Sequence, residues 1–170
     1  MPLRSRAFAL GCGLLLASCD SDSTSPNPGL ATATVAIDGR PFRVDSACAT
    51  FGSDSVLLVT LDQRVSRGTR RHLVVALGSL YLGGHELSDF LQGDGTAWYQ
   101  DESRMTPDGP IAFRPSLNWP GTLTVTRWDP AAQTIAASFS FLAPQYVPLG
   151  VDSTLAIAGR FSLPYGADCS

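Results

Sequence analysis

The chain has 170 residues, 44% hydrophobic and 16% charged, with twelve arginines, no lysine, fifteen acids and a net charge of −3. Dispersed arginines on a mildly acidic chain form no basic patch, which argues against a nucleic-acid partner. No segment is long and apolar enough to span a bilayer comfortably, and the length suits a single domain with a substantial core.

Arg4 and Arg6 give the N-terminus its positive start, residues 7–17 form a short apolar run, and small residues lead into Cys19. That is the anatomy of a cleaved secretory signal. Leu16-Ala17-Ser18-Cys19 resembles the bacterial lipobox. The resemblance implies that residues 1–18 are removed and that Cys19 becomes the diacylated first residue of the mature protein. Acyl burial contributes roughly 0.8 kcal/mol per methylene, so several chains on one cysteine hold a protein at the membrane essentially permanently. The expected location is therefore the cell envelope, lipid-anchored to the membrane. Asp20 resembles an inner-membrane retention signal, but inner and outer membrane both stay open. Loss of Arg4 and Arg6 with the signal takes the net charge from −3 to −5.

Residues 20–29 carry no apolar side chain outside proline and cannot offset their ordering entropy, so residues 19–29 are expected to be a lipidated cysteine and a disordered linker. The domain proper is residues 30–170. Cys12 leaves with the signal, which makes Cys48 and Cys169 the only pair left in an oxidising compartment. A disulfide between them would tie an early strand to the C-terminal end.

From there the pattern is β throughout. Residues 31–37 alternate, Asp38-Gly39 favours a tight hairpin turn, and residues 41–44 begin a strand that runs on to Phe51. Residues 56–61 and 72–77 are apolar on both faces and read as central strands, with residues 64–71 as the polar loop between them. Residues 86–91 suit one helical turn and residues 96–99 a short strand. Residues 107–120 hold four prolines and read as an irregular surface excursion. The period of two is clearest at the end. Leu123 and Val125 oppose Thr122, Thr124 and Thr126. After the Asp129-Pro130 turn, Ile135, Ala137, Phe139 and Phe141 oppose Ser138 and Ser140. Leu155, Ile157, Phe161 and Leu163 then alternate with polar or small residues. The expected fold is all-β: one antiparallel β-sandwich or barrel-like domain of about eight or nine strands.

The run 121–129 (Gly-Thr-Leu-Thr-Val-Thr-Arg-Trp-Asp), Ser138-Phe139-Ser140-Phe141, Gly159-Arg160-Phe161-Ser162 and the opening run 33–42 with its Asp-Gly turn resemble a family of bacterial lipoproteins of unknown function. These motifs cover about a third of the chain and concern a turn and packing positions. The resemblance implies a β fold and carries no activity with it.

No catalytic constellation is found. His85, Glu86, Ser88 and Asp89 supply the residue types of a hydrolytic triad, but no Gly-x-Ser-x-Gly elbow accompanies them. His72 and His85 are the only histidines and lack zinc-ligand spacing, so no metal and no cofactor are expected. Trp98, Tyr99, Trp119 and Trp128 are the candidate ligand-binding residues, Trp128 falling on the outward threonine side of its strand. The reading is a non-enzymatic envelope lipoprotein whose β domain has a structural or binding role. Its partners are the membrane through the lipid anchor and an envelope protein, an apolar ligand or a glycan. A lipocalin-like or carbohydrate-binding domain holding a small ligand is the alternative.

Overall fold

A computed structural model describes residues 31–52, 55–88, 94–107, 109–147 and 150–166. The domain is all-β. Its eleven strands are β1 (Thr32–Ile37), β2 (Arg40–Phe42), β3 (Ser46–Phe51), β4 (Leu57–Ser66), β5 (Thr69–Leu77), β6 (Gly83–Leu87), β7 (Gly95–Thr106), β8 (Gly109–Phe113), β9 (Gly121–Asp129), β10 (Thr134–Val147) and β11 (Gly150–Pro164). They form one sheet in the order β2-β1-β11-β10-β9-β6-β7-β5-β4-β3, with β8 added on β7. All pairings are antiparallel except β6 with β7, which meet only at Leu87 and Gly95.

The sheet curls until its far end meets its near side. Ala49 on β3 bridges Tyr165, just past β11, and the Gly166 N–H donates to the Ala49 carbonyl at 3.1 Å. Across the interior, the Phe42 ring on β2 meets the Tyr99 ring on β7 edge-on, 6.2 Å between centroids. The single sheet is thus a barrel-like shell around one core, in which Leu57, Leu61, Leu73, Leu123, Ile135, Phe139 and Ile157 are all buried.

Local chemistry explains the hairpins. Ile37 pairs with Arg40, so Asp38 and Gly39 are the whole loop, and both have positive φ (50° and 72°) as a type I′ turn requires. The Asp38 carboxylate accepts the Ala156 N–H at 2.8 Å and pins that turn to β11. Asp129 pairs with Thr134, and its carboxylate accepts the Ala132 N–H at 2.9 Å, which orders the four-residue turn opened by Pro130. Phe139 faces Leu123 on one side and Gly159 on the other. Its ring lies over Gly159, where an added Cβ would come within 2.7 Å of both the ring and the Thr34 carbonyl oxygen.

Several expectations are corrected. Residues 41–51 are two strands rather than one: β2 pairs with β1 and β3 with β4, at opposite ends of the sheet order. Residues 64–71 are mostly strand, because Arg64 pairs with Arg70 and only Arg67-Gly68 turn, Gly68 having φ 82°. Glu86 and Leu87 belong to β6, not to a helix, and residues 89–93 lie outside the described residues. The proline-rich stretch contains β8, with Pro110 near its start. Pro144 sits within β10, beyond the last β9 partner at Ser140, so its missing N–H breaks no bond to β9.

Candidate functional site

The inner face of β4, β5 and β7 changes character toward one end. Leu61, Leu73 and Tyr99 are buried apolar neighbours, and one pleat further Gln63, Arg71 and Asp101 stand in a row. Arg71 Nε donates to Asp101 Oδ2 at 3.1 Å and Nη1 donates to Gln63 Oε1 at 3.3 Å. Asp101 also accepts from the Ser103 N–H at 3.0 Å and from the Ser103 hydroxyl. Burial alone would raise the Asp101 pKa. The two Ser103 bonds and the Arg71 charge outweigh it and leave the carboxyl below its ordinary value. Burial first, then the Asp101 charge, pushes the Tyr99 hydroxyl up to about 12, against the opposing influence of Arg71 and Arg104. A carboxylate that already accepts three hydrogen bonds is a poor proton acceptor, so this row holds strands together rather than moving protons.

On the opposite face of the same three strands lies His72. Its Nδ1 is 2.8 Å from Asp62 Oδ1 on β4 and its Nε2 is 3.1 Å from Glu102 Oε1 on β7. The Arg70 N–H, donating to Glu102 at 2.8 Å, and the contact with His72 hold the Glu102 carboxyl below its usual range. His85 points inward from β6 and is 2% exposed. Its Nε2 donates to the Tyr81 carbonyl at 2.9 Å under the Tyr81 ring, leaving Nδ1 without a partner. Tyr81 donates in turn to Asp94 at 3.0 Å, and that bond raises its pKa. The Ser88 hydroxyl is buried and unpartnered, and Asp89 lies outside the described residues. Among the described residues neither histidine is hydrogen-bonded to a serine, and no group of three or more His, Cys, Asp or Glu is placed to hold a metal.

The four aromatic residues singled out in the sequence do not converge. Tyr99 is buried inside, between Phe42 and Phe113. Trp98 is on the other face of β7, half-buried opposite Val74. Trp119 is 38% exposed in a tight loop where Ser116 and Trp119 exchange backbone hydrogen bonds. Trp128 is exposed as expected, but its pairing is not the one the threonine alternation predicts. A bulge lets Ala136 pair with Arg127 while Ala137 pairs with Val125, so the alternation slips by one and Trp128 aligns with the inward Ile135. The indole therefore reaches the rim of the shell, where Nε1 donates to the Tyr165 hydroxyl at 3.2 Å. Phe51 meets the Tyr165 ring edge-on at 5.3 Å. Nothing in the sequence pattern foretold that Phe51 and Tyr165 join Trp128, because the bulge and the seam are both tertiary.

An open groove of about 440 Å³ runs over the outside of β1, β11, β10 and β9. Its floor is one cross-strand row of small side chains, Ala36, Ala158, Ser140 and Thr122, walled by Leu142 and Pro120. Small residues at these positions are what leave the surface concave. Cys48 lies on β3 beside Thr60, half-buried, while Cys19 and Cys169 lie outside the described residues. The chain matches no protein-family model, no curated protein and no solved structure.

Proposed function

We propose that this protein is a bacterial envelope lipoprotein, held to a membrane by acyl chains on Cys19, whose barrel-like domain has a non-enzymatic structural or binding role. The observation that carries the reading is the N-terminal succession of Arg4 and Arg6, a short apolar run, Leu16-Ala17-Ser18-Cys19 and a polar tract. The strands supply no second anchor of the helical kind: among the described residues no helix is long and apolar enough to cross a membrane. A Cys19→Ala variant should incorporate no labelled acyl chains and should leave the membrane fraction of growing cells. Membrane association of that unlabelled variant would refute the anchor.

The disulfide between Cys48 and Cys169 is part of the same proposal. Its support is the seam, where Tyr165 and Gly166 meet Ala49, the neighbour of Cys48. Three residues from Gly166 to Cys169 can span about 10 Å, enough to bring the second sulfur to β3. Closing so long a loop contributes up to about 4–5 kcal/mol through the unfolded chain. Alkylation under denaturing conditions should modify neither cysteine until a reductant is added. Two free thiols in envelope-purified protein would remove the staple.

The small-ligand alternative is favoured by one observation, the groove over Ala36, Ala158, Ser140 and Thr122. It is lined without a charged side chain, which suits a flat apolar molecule better than a glycan.

A further inference from the structure

The two exposed tryptophans bracket one strand. Trp119 lies just before β9 and Trp128 is its penultimate residue, so the two flank a strand rise of roughly 23 Å from Gly121 to Trp128 and stand toward opposite ends of the shell. Their exposures are nearly equal, 38% and 37%. Their surroundings differ. Trp128 forms a connected aromatic rim with Tyr165 and the 41% exposed Phe51, the Tyr165 hydroxyl fixed by the indole N–H. Neither indole stacks on another ring among the described residues; what sets Trp128 apart is its hydrogen bond to Tyr165, whose ring meets Phe51.

The rim also lies where the chain enters the domain. Thr32 pairs with Ser162, three residues before Tyr165. Antiparallel pairing of β1, β11, β10 and β9 puts the start of β1 at the same end as the close of β9. The thirteen residues from Cys19 to Thr32 can span no more than about 45 Å, and as the linker expected from their composition they would average about 20 Å. We propose that the Phe51–Tyr165–Trp128 rim docks on the surface of the bilayer that holds the Cys19 lipid, its rings entering the boundary between headgroups and acyl chains. The inference rests on the anchor reading above. Amphipathic rings with an apolar body and a polar tip suit that boundary, and a short tether keeps the rim at high effective concentration over it. Attraction to anionic lipid is not the driving force, because the mature chain is itself acidic, at −5, and Arg127 beside Trp128 is already engaged by Asp129 at 3.5 Å. Docking would fix the domain upright and present its other end, with Trp119 and the groove wall at Leu142, away from the membrane.

The test uses full-length lipidated protein purified from bacterial membranes and reconstituted into phosphatidylcholine vesicles carrying brominated acyl chains. One form keeps Trp128 alone (Trp98→Phe with Trp119→Phe), and the other keeps Trp119 alone (Trp98→Phe with Trp128→Phe). Intact mass and vesicle flotation report the anchor separately. The expected result is bromolipid quenching of Trp128 severalfold greater than that of Trp119, with aqueous iodide showing the reverse order, and little change on adding salt. Hydrogen exchange of the unsubstituted protein on and off vesicles covers the case in which Trp98→Phe disturbs folding, and residues 127–134 and 162–166 should gain protection. Lipidated, floating protein with equal quenching of both rings, with Trp119 the more quenched, or with no gain in protection, overturns the docking rim while leaving the anchor intact. A chain without lipid that fails to float overturns the anchor and the rim together.

Discussion

The β9–β10–β11–β1 ladder and the β4–β5–β7 ladder are both antiparallel and both close the same core, yet they are built by different rules. In the first, the inner face is large and apolar (Leu123, Phe139, Ile157, Phe161) and the outer face is small or polar and largely exposed. Alternation and the hairpin turns set its register, except at the bulge near Thr126. In the second, both faces are covered over much of their length: Val74, Ala76 and Thr96 on the outer side are 9%, 1% and 8% exposed. One end is fastened by polar side chains that reach across strands, Arg71 to Asp101 inside and His72 to Asp62 and Glu102 outside. A ladder with one wet face is written in its period. One with two covered faces is specified by pairings that exist only once the strands are aligned.

The largest expected effect belongs to the first ladder. Phe139 is 4% exposed and packs on Phe141, Phe161 and Gly159, so Phe139→Ala should cost about 3–5 kcal/mol in denaturant melts. A harmless Phe139→Ala would overturn the inward assignment of that strand. Next comes the second ladder. Asp101→Ala should cost about 1.5–3 kcal/mol, the range for charge-assisted hydrogen bonds. The larger cost of breaking a fully buried ion pair does not apply, because the Arg71 side chain keeps 35% exposure and water can receive its charge.

The pH dependence of that loss has a definite sign. The Asp101 pKa is lowered in the fold, so its contribution is fully present above the unfolded carboxyl value near 4 and disappears as pH falls through the lower folded value. The stability gap between wild type and Asp101→Ala should therefore be constant from neutrality down to about pH 4 and close below it. A gap that closes between pH 5 and 7 would show that another group sets the effect. Tyr99 should behave oppositely. Its pKa is raised to about 12, so spectrophotometric titration should find one tyrosine that ionises last, and the linked stability should be lost as pH rises above about 10.

Gly159→Ala sharpens the comparison at the point where the first ladder is tightest. The new methyl would meet the Thr34 carbonyl oxygen and the Phe139 ring, both at 2.7 Å, and the backbone contact cannot simply swing away. A loss of about 1–3 kcal/mol is expected from such overpacking. Ser138→Ala, one residue from Phe139 but on the exposed face, should change stability by under about 0.5 kcal/mol. Equal losses at Ser138 and Phe139 would mean that the alternation has been assigned to the wrong faces.

The same contrast explains what could be read before the structure. The hairpins at Asp38-Gly39 and Asp129-Pro130 and the inward set Ile135, Ala137, Phe139 and Phe141 are local signals, and they appear as expected. Trp128 is exposed as expected, but its pairing with Ile135 is not legible, because a bulge adds one residue at Thr126-Arg127 and period-two counting has no means of registering an extra residue. Residues 64–71 look like a loop because Arg64, Arg67, Arg70 and Arg71 are all charged, yet Arg71 is satisfied inside by Asp101, thirty residues away. Residues 41–51 divide because β2 pairs back on β1 while β3 pairs forward with β4, a choice of partners that the apolar pattern of the segment does not record. Of the candidate binding residues, the sequence held Trp128 but not its companions Phe51 and Tyr165, which meet it only when the sheet curls.

The proposed membrane anchor is Cys19. The most direct measurement is the intact mass, with N-terminal peptide assignment, of the protein extracted from bacterial membranes. A mature chain starting at Cys19 and carrying a diacylglyceryl group is the expected result. A chain that retains residues 1–18, or one cut elsewhere with an unmodified Cys19, would contradict it.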